Sequence, residues 1–244
     1  MKTIILAGEG KKDETGFPVS KGAFPMKGIP MIQYVVNCLR SSGCVDTLIA
    51  VGNLQDLKPI IDSQVDLLLQ QKSSMMDNLL EALSYVEGEE AVLITTCDIP
   101  LIHRDVVKSF IETALEMKVD ICYPIVEKQI CQKCYPDVKR TYVHLKDGSF
   151  TGGNMIVLSP PAIDKIEAPA RWMIKYRKNP IKMSRALGFK FILGALFQQL
   201  TINGLEGYIE KRFGIRARAV ISQYPEIASD IDNIRDVQQM EKYL

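Results

Sequence analysis

Short apolar runs alternate with segments of helical periodicity along the first half of the chain. The run at 3–7 ends at a glycine, and residues 31–39 have apolar side chains at the i, i+3, i+4 and i+7 positions of an amphipathic helix. Further strand-like runs follow at 47–52, 65–70, 91–97 and 120–126, with helix faces at 79–86 and 107–114. This alternation predicts a three-layer α/β/α fold with a mostly parallel mixed sheet.

The pattern changes after residue 126. Two β-like segments at 141–145 and 154–158 are separated by a turn-rich stretch that begins KDGS, which suggests a hairpin or an addition at the sheet edge. Residues 160–213 then have a mostly helical pattern, followed by a strand-like run at 216–222 and a last helix. Because no repeat or flexible linker interrupts the chain, we expect a single domain over 1–244 with a helical insertion at 160–213.

Composition excludes several classes of protein. With 47% hydrophobic and 24% charged residues, the chain has the make-up of a globular protein rather than a disordered or disulfide-stapled one. The 30 basic and 29 acidic residues nearly cancel, so we expect neither nucleic acid nor a membrane as partner. The longest apolar stretch, at 191–197, is too short for a membrane span. Six scattered cysteines and an N-terminus unlike a signal peptide favour the cytoplasm.

The loop after the first strand is a candidate phosphate-binding segment. Gly8 and Gly10 would let the backbone approach a ligand closely, while Lys21 and two lysines directly after Gly10 supply cations. The loop lacks the G-x-x-x-x-G-K-[ST] pattern of P-loop NTPases, and Asp13 stands where dinucleotide-binding folds have their third glycine. A solvated loop with two turn glycines is an equally good interpretation.

Two carboxylates follow predicted strands in separate parts of the sequence. Asp98 lies directly after the apolar run at 91–97 and before Pro100, where regular strand pairing must stop. Asp232 precedes the last helix. One or two carboxylates together with substrate phosphates are common ligands of Mg²⁺, so this pair would suffice for a magnesium site. The alternatives are a turn-forming Asp98 and a helix-capping Asp232.

A pair of glycines and an asparagine precede the strand-like segment at 154–158. Gly152 and Gly153 permit a close backbone approach to a ligand, and the Asn154 amide can both donate and accept hydrogen bonds. A plain hairpin turn would use the same residues.

Three further features have ordinary structural explanations. Cys131-x-x-Cys134 has no second pair beside it, so two loop cysteines are expected more than a zinc or redox site. A basic cluster could gather an acceptor phosphate, although a solvated helix face is the commoner use of such a pattern. Its members are Arg171, Lys175, Arg177, Lys178 and Lys182. The two histidines, His103 and His144, are not expected to be catalysts.

In their order along the chain, these segments resemble the NTP-transferase family of molybdenum-cofactor guanylyltransferase type. The matching pieces are L-A-G-x-G at 6–10, S-K-G-A-F-P at 20–25, G-I-P-M-I-Q-Y at 28–34, C-D-I-P at 97–100, T-G-G-N at 151–154 and D-I-D at 230–232. The resemblance implies the nucleotide-diphospho-sugar transferase (GT-A) type of fold. It also implies Mg²⁺-dependent transfer of a nucleoside monophosphate from an NTP to a small-molecule acceptor, commonly a phosphorylated one, with release of pyrophosphate.

The resemblance implies roles for individual residues as well. Lys21 on the phosphates and Asp98 on Mg²⁺ would be catalytic, Asp232 would be the second metal carboxylate, and Asn154 would lie on the acceptor side. The residues along the nucleotide would be Leu6, Ala7, Gly8, Gly10, Lys21 and Asn53. These roles agree with the chemistry, because attack at the α-phosphorus builds negative charge on oxygens that a lysine and Mg²⁺ can neutralise.

The first loop departs from the family pattern. Glu9 stands where the family usually has a second glycine, and lysines stand where it often has an arginine. Two rival functions therefore stay open, a glycosyltransferase of the same fold that consumes a nucleotide sugar and a nucleotide-binding protein without turnover. Neither the base, the acceptor nor the oligomeric state follows from the sequence.

Overall fold

A computed structural model describes residues 1–8, 16–176 and 199–244. Within these ranges its centre is a mixed sheet of nine strands, with a separate two-stranded ribbon beside it. The strands are β1 (Lys2–Ala7), β2 (Pro25–Met26), β3 (Ile29–Pro30), β4 (Thr47–Gly52), β5 (Leu67–Gln70), β6 (Val92–Thr96), β7 (Ile121–Glu127), β8 (Val143–Leu145), β9 (Gly148–Gly152), β10 (Met155–Leu158) and β11 (Ala217–Ser222).

Helices follow most of the strands. Those in the described ranges are α1 (Met31–Ser41), α2 (Leu54–Ile61), α3 (Met75–Leu83), α4 (Arg104–Met117), α5 (Lys128–Cys134), α6 (Ile163–Tyr176), α7 (Ile202–Phe213) and α8 (Ile234–Met240). Short 3-10 helices cover Lys21–Ala23, Pro160–Ala162, Pro225–Ala228 and Glu241–Tyr243. None of the helices in these ranges has the length and apolar character needed to cross a bilayer.

The sheet confirms the predicted fold class. The strand order is β5-β4-β1-β6-β10-β7-β9-β8, and β11 pairs with β7. The strands β5, β4, β1 and β6 are parallel neighbours, whereas β10 is inserted antiparallel between β6 and β7. One antiparallel strand therefore joins two parallel parts of the sheet.

Helices cover both faces of the sheet and bury the central strands completely. Side chains alternate between the two faces of a strand. Ile5 of β1 therefore packs in the core under α1, α2 and α4, and Ile4 packs in the core under α3, α6 and α7. Both isoleucines are 0% exposed. This double burial is the reason that β1 is an apolar run without alternating polar residues.

The structure corrects the prediction for the second half of the chain in one respect. A hairpin does form at the sheet edge, but its two strands are β8 and β9, and the stretch interpreted as turn-rich contains β9. The segment at 154–158 is not an edge addition but becomes the inserted strand β10. Pairing with neighbouring strands explains both outcomes, because β9 is hydrogen-bonded to β7 and β8, whereas β10 is hydrogen-bonded to β6 and β7.

The predicted insertion at 160–213 is helical where it is described. The described parts are a 3-10 turn followed by α6, and then α7. The stretch at 177–198, which includes the longest apolar run, lies outside the described residues.

Candidate nucleotide and metal site

The carboxyl ends of three parallel strands meet at one edge of the sheet. β1 lies between β4 and β6, and the chain passes from β1 to β4 on one side before it returns to β6 on the other. Open α/β sheets bind ligands in the crevice at such a change of direction. The residues that follow these strands are Gly8, Asn53 and, one residue further from its strand, Asp98.

Lys21 reaches this edge from the loop between β1 and α1. Its 3-10 turn packs closely because the next residue is Gly22, where a Cβ atom would lie 3.3 Å from the Sγ of Cys97. The Lys21 Nζ donates a hydrogen bond to Asp98 Oδ2 at 2.7 Å and lies 3.8 Å from Asp232 Oδ1. The fold thus brings together the three charged groups that sequence reasoning selected from remote segments.

Lys21 stays a cation in this setting. Burial alone would lower the pKa of Lys21, but the charge and hydrogen bond of Asp98, with a smaller contribution from Asp232, raise it above its ordinary value. The ammonium group is therefore charged at neutral pH and available to an anionic ligand.

Three carboxylates lie beside the ammonium group. One oxygen from each of Asp98, Asp230 and Asp232 falls within 4.8 Å of the others. The Asp98 side chain is buried, and its Oδ1 has no hydrogen-bond partner among the described residues. Because a buried charged oxygen without a partner is costly, this atom is suited to a cation ligand.

Asp230 is the member of this cluster that sequence reasoning missed. Burial raises the pKa of Asp230 to about 6, and the charges of Asp98 and Asp232 act in the same direction. The signal in the sequence was the D-I-D spacing, since residues two apart in an extended segment face the same side. The intervening Ile231 is 0% exposed, as that alternation requires.

Backbone hydrogen bonds fix the loop that carries Asp230 and Asp232. The Ile231 N–H donates to the carbonyl of Asp98 at 3.0 Å, and the Asn154 N–H donates to the carbonyl of Ile227 at 2.8 Å. The geometry of the cluster is therefore set by the strands rather than by flexible side chains.

The helix cap at the start of α8 is Asn233, not Asp232. Asn233 Oδ1 accepts from the N–H of Arg235, and Asp236 completes a capping box. Capping therefore does not account for Asp232, whose side chain is 80% exposed at the cluster.

Three of the residues predicted along the nucleotide lie at the end of β1. Leu6 is half-buried, Ala7 is buried, and Gly8 is exposed where the strand ends. A Cβ atom on Gly8 would lie 2.5 Å from the Nδ2 of Asn78, so the glycine leaves room for that amide. Gly10 lies outside the described residues, as do Glu9 and the neighbouring lysines.

Asn53 has a structural role that the sequence did not reveal. Its Oδ1 accepts from the N–H of Gln55 at 3.0 Å and caps α2, and its Nδ2 donates to Asp56 Oδ2 at 3.3 Å. The same Asp56 oxygen accepts the N–H of Ser20 at 3.0 Å. Asn53 is thus linked through Asp56 to the turn that carries Lys21.

A cavity of about 490 Å³ opens on the other side of the cluster. Asn154, Asp230 and Asp232 line it together with Gly152 and Gly153. The two glycines are not a hairpin turn, because they end β9 and lead toward β10.

Both glycines are required by close packing. A Cβ on Gly152 would meet the Tyr123 hydroxyl at 2.1 Å, and one on Gly153 would meet Pro124 Cγ at 2.8 Å. The cavity wall at this point is bare backbone.

The other sequence candidates that the structure describes are not members of the cluster. Cys131 is buried and Cys134 is exposed, and all six cysteines are free thiols. Arg171 pairs with Glu167 and Asp77 at 2.8 Å each, whereas the basic residues at 177–182 lie outside the described residues.

The histidines have separate roles as well. His144 Nδ1 lies 2.7 Å from Ser149 Oγ in the β8–β9 hairpin. His103 precedes α4 and stacks edge-on against Tyr224.

Several solved structures have a fold similar to that of this chain. A hypothetical transferase from Thermus thermophilus has a TM-score of 0.86 and 32% identity, over 97% of this chain and 100% of that chain. The CMP:2-keto-3-deoxy-manno-octonic acid synthetase solved with CTP has a TM-score of 0.63 and 12% identity, over 99% of this chain and 96% of that chain. The 4-diphosphocytidyl-2C-methyl-D-erythritol synthase of Anaerococcus prevotii has a TM-score of 0.61 and 11% identity, over 99% and 96%. Among curated proteins there was no significant match.

The sequence itself gives the assignment to a family. Residues 3–181 match the MobA-like NTP transferase domain, which is most of the 244-residue chain. The strands β1, β4 and β6 and the residues Lys21 and Asp98 all fall inside the matched range. The chain therefore belongs to the family of MobA-like NTP transferase domains.

Proposed function

We propose that this protein transfers a nucleoside monophosphate from an NTP to a small-molecule acceptor that carries a phosphate group, with release of pyrophosphate. The observation that carries the proposal is the meeting of the Lys21 ammonium with Asp98 at 2.7 Å and Asp232 at 3.8 Å at the carboxyl edge of the sheet. Membership of an NTP transferase family supports it.

In this proposal the NTP lies along the end of β1, beside Leu6, Ala7, Gly8 and Gly10, with Asn53 toward its base or ribose. An oxygen of the acceptor phosphate forms a bond to the α-phosphorus, and the bond from the α-phosphorus to the oxygen that leads to the β-phosphate breaks. Pyrophosphate leaves with the electron pair of that bond. The acceptor occupies the cavity on the Asn154 side, opposite the leaving group.

Lys21 supplies fixed positive charge where negative charge develops. Its Nζ is already held at the site by Asp98, so little reorganisation is needed when a triphosphate binds. The reaction needs charge neutralisation and alignment more than acid or base catalysis, which agrees with a cluster made of Lys21 and three aspartates.

The residues present fit a magnesium ion. Asp98 and Asp232 would hold it, with Asp230 as a third oxygen ligand, and the unpartnered Asp98 Oδ1 is the atom that favours this assignment. Mg²⁺ bound there would neutralise charge on the phosphoryl oxygens. We further propose that residues 1–244 act as one domain, in the cytoplasm, without nucleic acid or membrane as partner.

The experiment is a pyrophosphate-release assay with four common NTPs and a panel of phosphorylated acceptors, with and without Mg²⁺. Lys21→Ala and Asp98→Ala should each reduce turnover about 100- to 1000-fold, because each removes preorganised charge from the transition state. Lys108→Ala is the matched control, since its side chain is exposed on α4 near Glu112. Full pyrophosphate release by both site variants would overturn the proposal, and so would transfer from a nucleotide sugar without pyrophosphate release from any NTP.

A further inference from the structure

Carboxylates and basic side chains line the same acceptor cavity. Asp230 and Asp232 are the carboxylates, and Lys139 and Arg140 come from the segment between α5 and β8. We propose that Lys139 binds an anionic group of the acceptor, so that it determines specificity for anionic over neutral acceptors. This inference rests on the proposed function for the identity of the cavity as the acceptor site.

The ammonium group of Lys139 is not paired with another described residue. Its side chain is exposed at the cavity, and its ammonium has no hydrogen bond or ion pair with any residue that the structure describes. Some other surface lysines are already neutralised, as Lys72 is by Glu81 and Lys242 is by Asp137. Lys139 can therefore bind an anion without breaking an existing pair.

Arg140 fixes the position of the segment that carries Lys139. The Arg140 Nε donates to the carbonyl of Ala228 at 3.0 Å, and its Nη2 donates to Ser229 Oγ. Both acceptors directly precede Asp230 in the chain. The guanidinium also lies 5.6 Å from the ring centroid of Tyr135. Arg140 thus ties the segment of Lys139 to the loop that carries the carboxylates.

Tyr135 is hydrogen-bonded to the other end of the same loop. Its hydroxyl donates to Glu226 Oε1 at 2.6 Å. The Ser229 hydroxyl in turn donates to the carbonyl of Pro225 at 2.7 Å. A network of hydrogen bonds therefore holds the segment of Lys139 against the loop that carries Asp230 and Asp232.

Electrostatic repulsion in the cavity favours a cation beside the acceptor. An anionic acceptor that enters the cavity meets the carboxylates of Asp230 and Asp232, and like charges at short range repel strongly where water is partly excluded. A cation that lines the same cavity offsets this repulsion and allows the anion to bind there. Thr151 and Asn154 also line the cavity, and their polar groups can bind acceptor hydroxyls.

The test uses the full chain and inorganic phosphate as the probe, without nucleotide or metal. Phosphate is titrated into ¹⁵N-labelled protein while the amide signals of Gly152 and Gly153 are followed, because these residues line the cavity. Saturable shifts at the two glycines are expected in the wild type, with a dissociation constant about 10-fold higher for Lys139→Gln from the loss of one charge-assisted contact. Lys139→Arg should retain binding.

Lys133→Gln is the matched control, because this exposed lysine lies on α5 and does not line the cavity. It should bind phosphate as the wild type does. Equal affinity of Lys139→Gln and wild type, or shifts confined to residues around Lys21, would overturn the assignment. Acetate titrated in the same way identifies the chemistry, since tighter acetate binding means a carboxylate acceptor and tighter phosphate binding a phosphorylated one.

Kinetics separate this inference from the proposed function. With an acceptor found in the pyrophosphate screen, Lys139→Gln should raise the acceptor KM about 10-fold, while kcat and the KM for NTP stay unchanged. Turnover with an unchanged acceptor KM in this variant overturns the role of Lys139 and leaves the proposed function standing. Phosphate binding at Lys139 in a chain that releases no pyrophosphate overturns the proposed function and leaves the anion site standing.

Discussion

The two edges of the central sheet use aspartate in opposite ways. At the amino edge, Asp120 accepts hydrogen bonds from the Arg216 N–H at 2.8 Å and from its Nη2 at 3.2 Å. Asp66 there accepts the Leu48 N–H at 2.7 Å and the Arg40 guanidinium at 2.8 Å. At the carboxyl edge, Asp98 keeps one buried oxygen without a partner and has two carboxylates beside it.

The aspartates at the amino edge are suited to stabilise the fold, and those at the carboxyl edge are suited to bind a ligand. Carboxylates that are fully hydrogen-bonded in the folded chain stabilise it. A cluster of carboxylates with unpaired oxygens lowers the stability of the folded chain and is suited to bind a cation. We therefore expect substitutions at the amino edge to change folding without changing activity. At the carboxyl edge we expect substitutions to lower activity, and we expect the loss of a carboxylate to raise rather than lower the stability of the metal-free chain.

The largest effect on stability is expected for Asp120→Ala. The change removes a buried carboxylate that accepts hydrogen bonds from the Arg216 N–H and guanidinium, so the free energy of unfolding should fall by about 2 kcal/mol. Urea denaturation measures this loss. Pyrophosphate release per folded molecule should stay within twofold of the wild type, and a large loss of activity at unchanged stability would contradict the division between the edges.

A smaller effect of opposite sign is expected for Asp230→Asn. The substitution removes one of three neighbouring carboxylates, and relief of repulsion should raise the free energy of unfolding of the metal-free chain by about 1 kcal/mol. Added Mg²⁺ should reduce or reverse this gain, because the ion would stabilise the wild-type cluster. If Asp230→Asn is less stable than wild type without metal, the cluster is not strained.

The smallest effect is a pH dependence at the amino edge. Hydrogen bonds from the Leu48 N–H and from Arg40 hold the pKa of Asp66 below its ordinary value. Its contribution to stability is therefore present above the unfolded-state pKa of about 3.9 and is lost as pH falls through the lower folded-state pKa. The side chain is half-exposed, so the contribution should stay below about 1 kcal/mol.

The measurement compares urea unfolding of wild type and Asp66→Asn from pH 7 downward. The stability gap between the two proteins should be constant down to about pH 4 and should then close. A gap that persists unchanged to pH 2 would show that the carboxylate charge of Asp66 is not the source of the stabilisation.

The carboxyl edge was more predictable from sequence than the rest of the site. Strands buried on both faces are visible as apolar runs, and Asp98 follows such a run directly. Lys21 was selected through its motif, and its position beside Asp98 then depended on the packing of Gly22 against Cys97. The structure brings these groups together, and their catalytic roles stay predictions.

Residues whose importance depends on tertiary packing were not predictable. Asp230 shares the D-I-D spacing with Asp232, but the sequence pattern does not contain the burial that raises its pKa. Lys139 and Arg140 lie in a segment without helical or strand periodicity, and their position at the cavity depends on contacts nearly ninety residues further along the chain, at Ala228 and Ser229. Asn53 was predicted at the nucleotide, while its hydrogen bonds also make it a helix cap.

The reversed direction of β10 has an evolutionary consequence. Since β7 ends and β10 begins at the same edge, residues 128–154 form an excursion that departs from this edge and comes back to it. Such a detour can lengthen, shorten or be exchanged without altering how the remaining strands are threaded. Descendants of one ancestral gene could thereby change the lining of the cavity while the part of the sheet formed by β1, β4 and β6 is inherited intact.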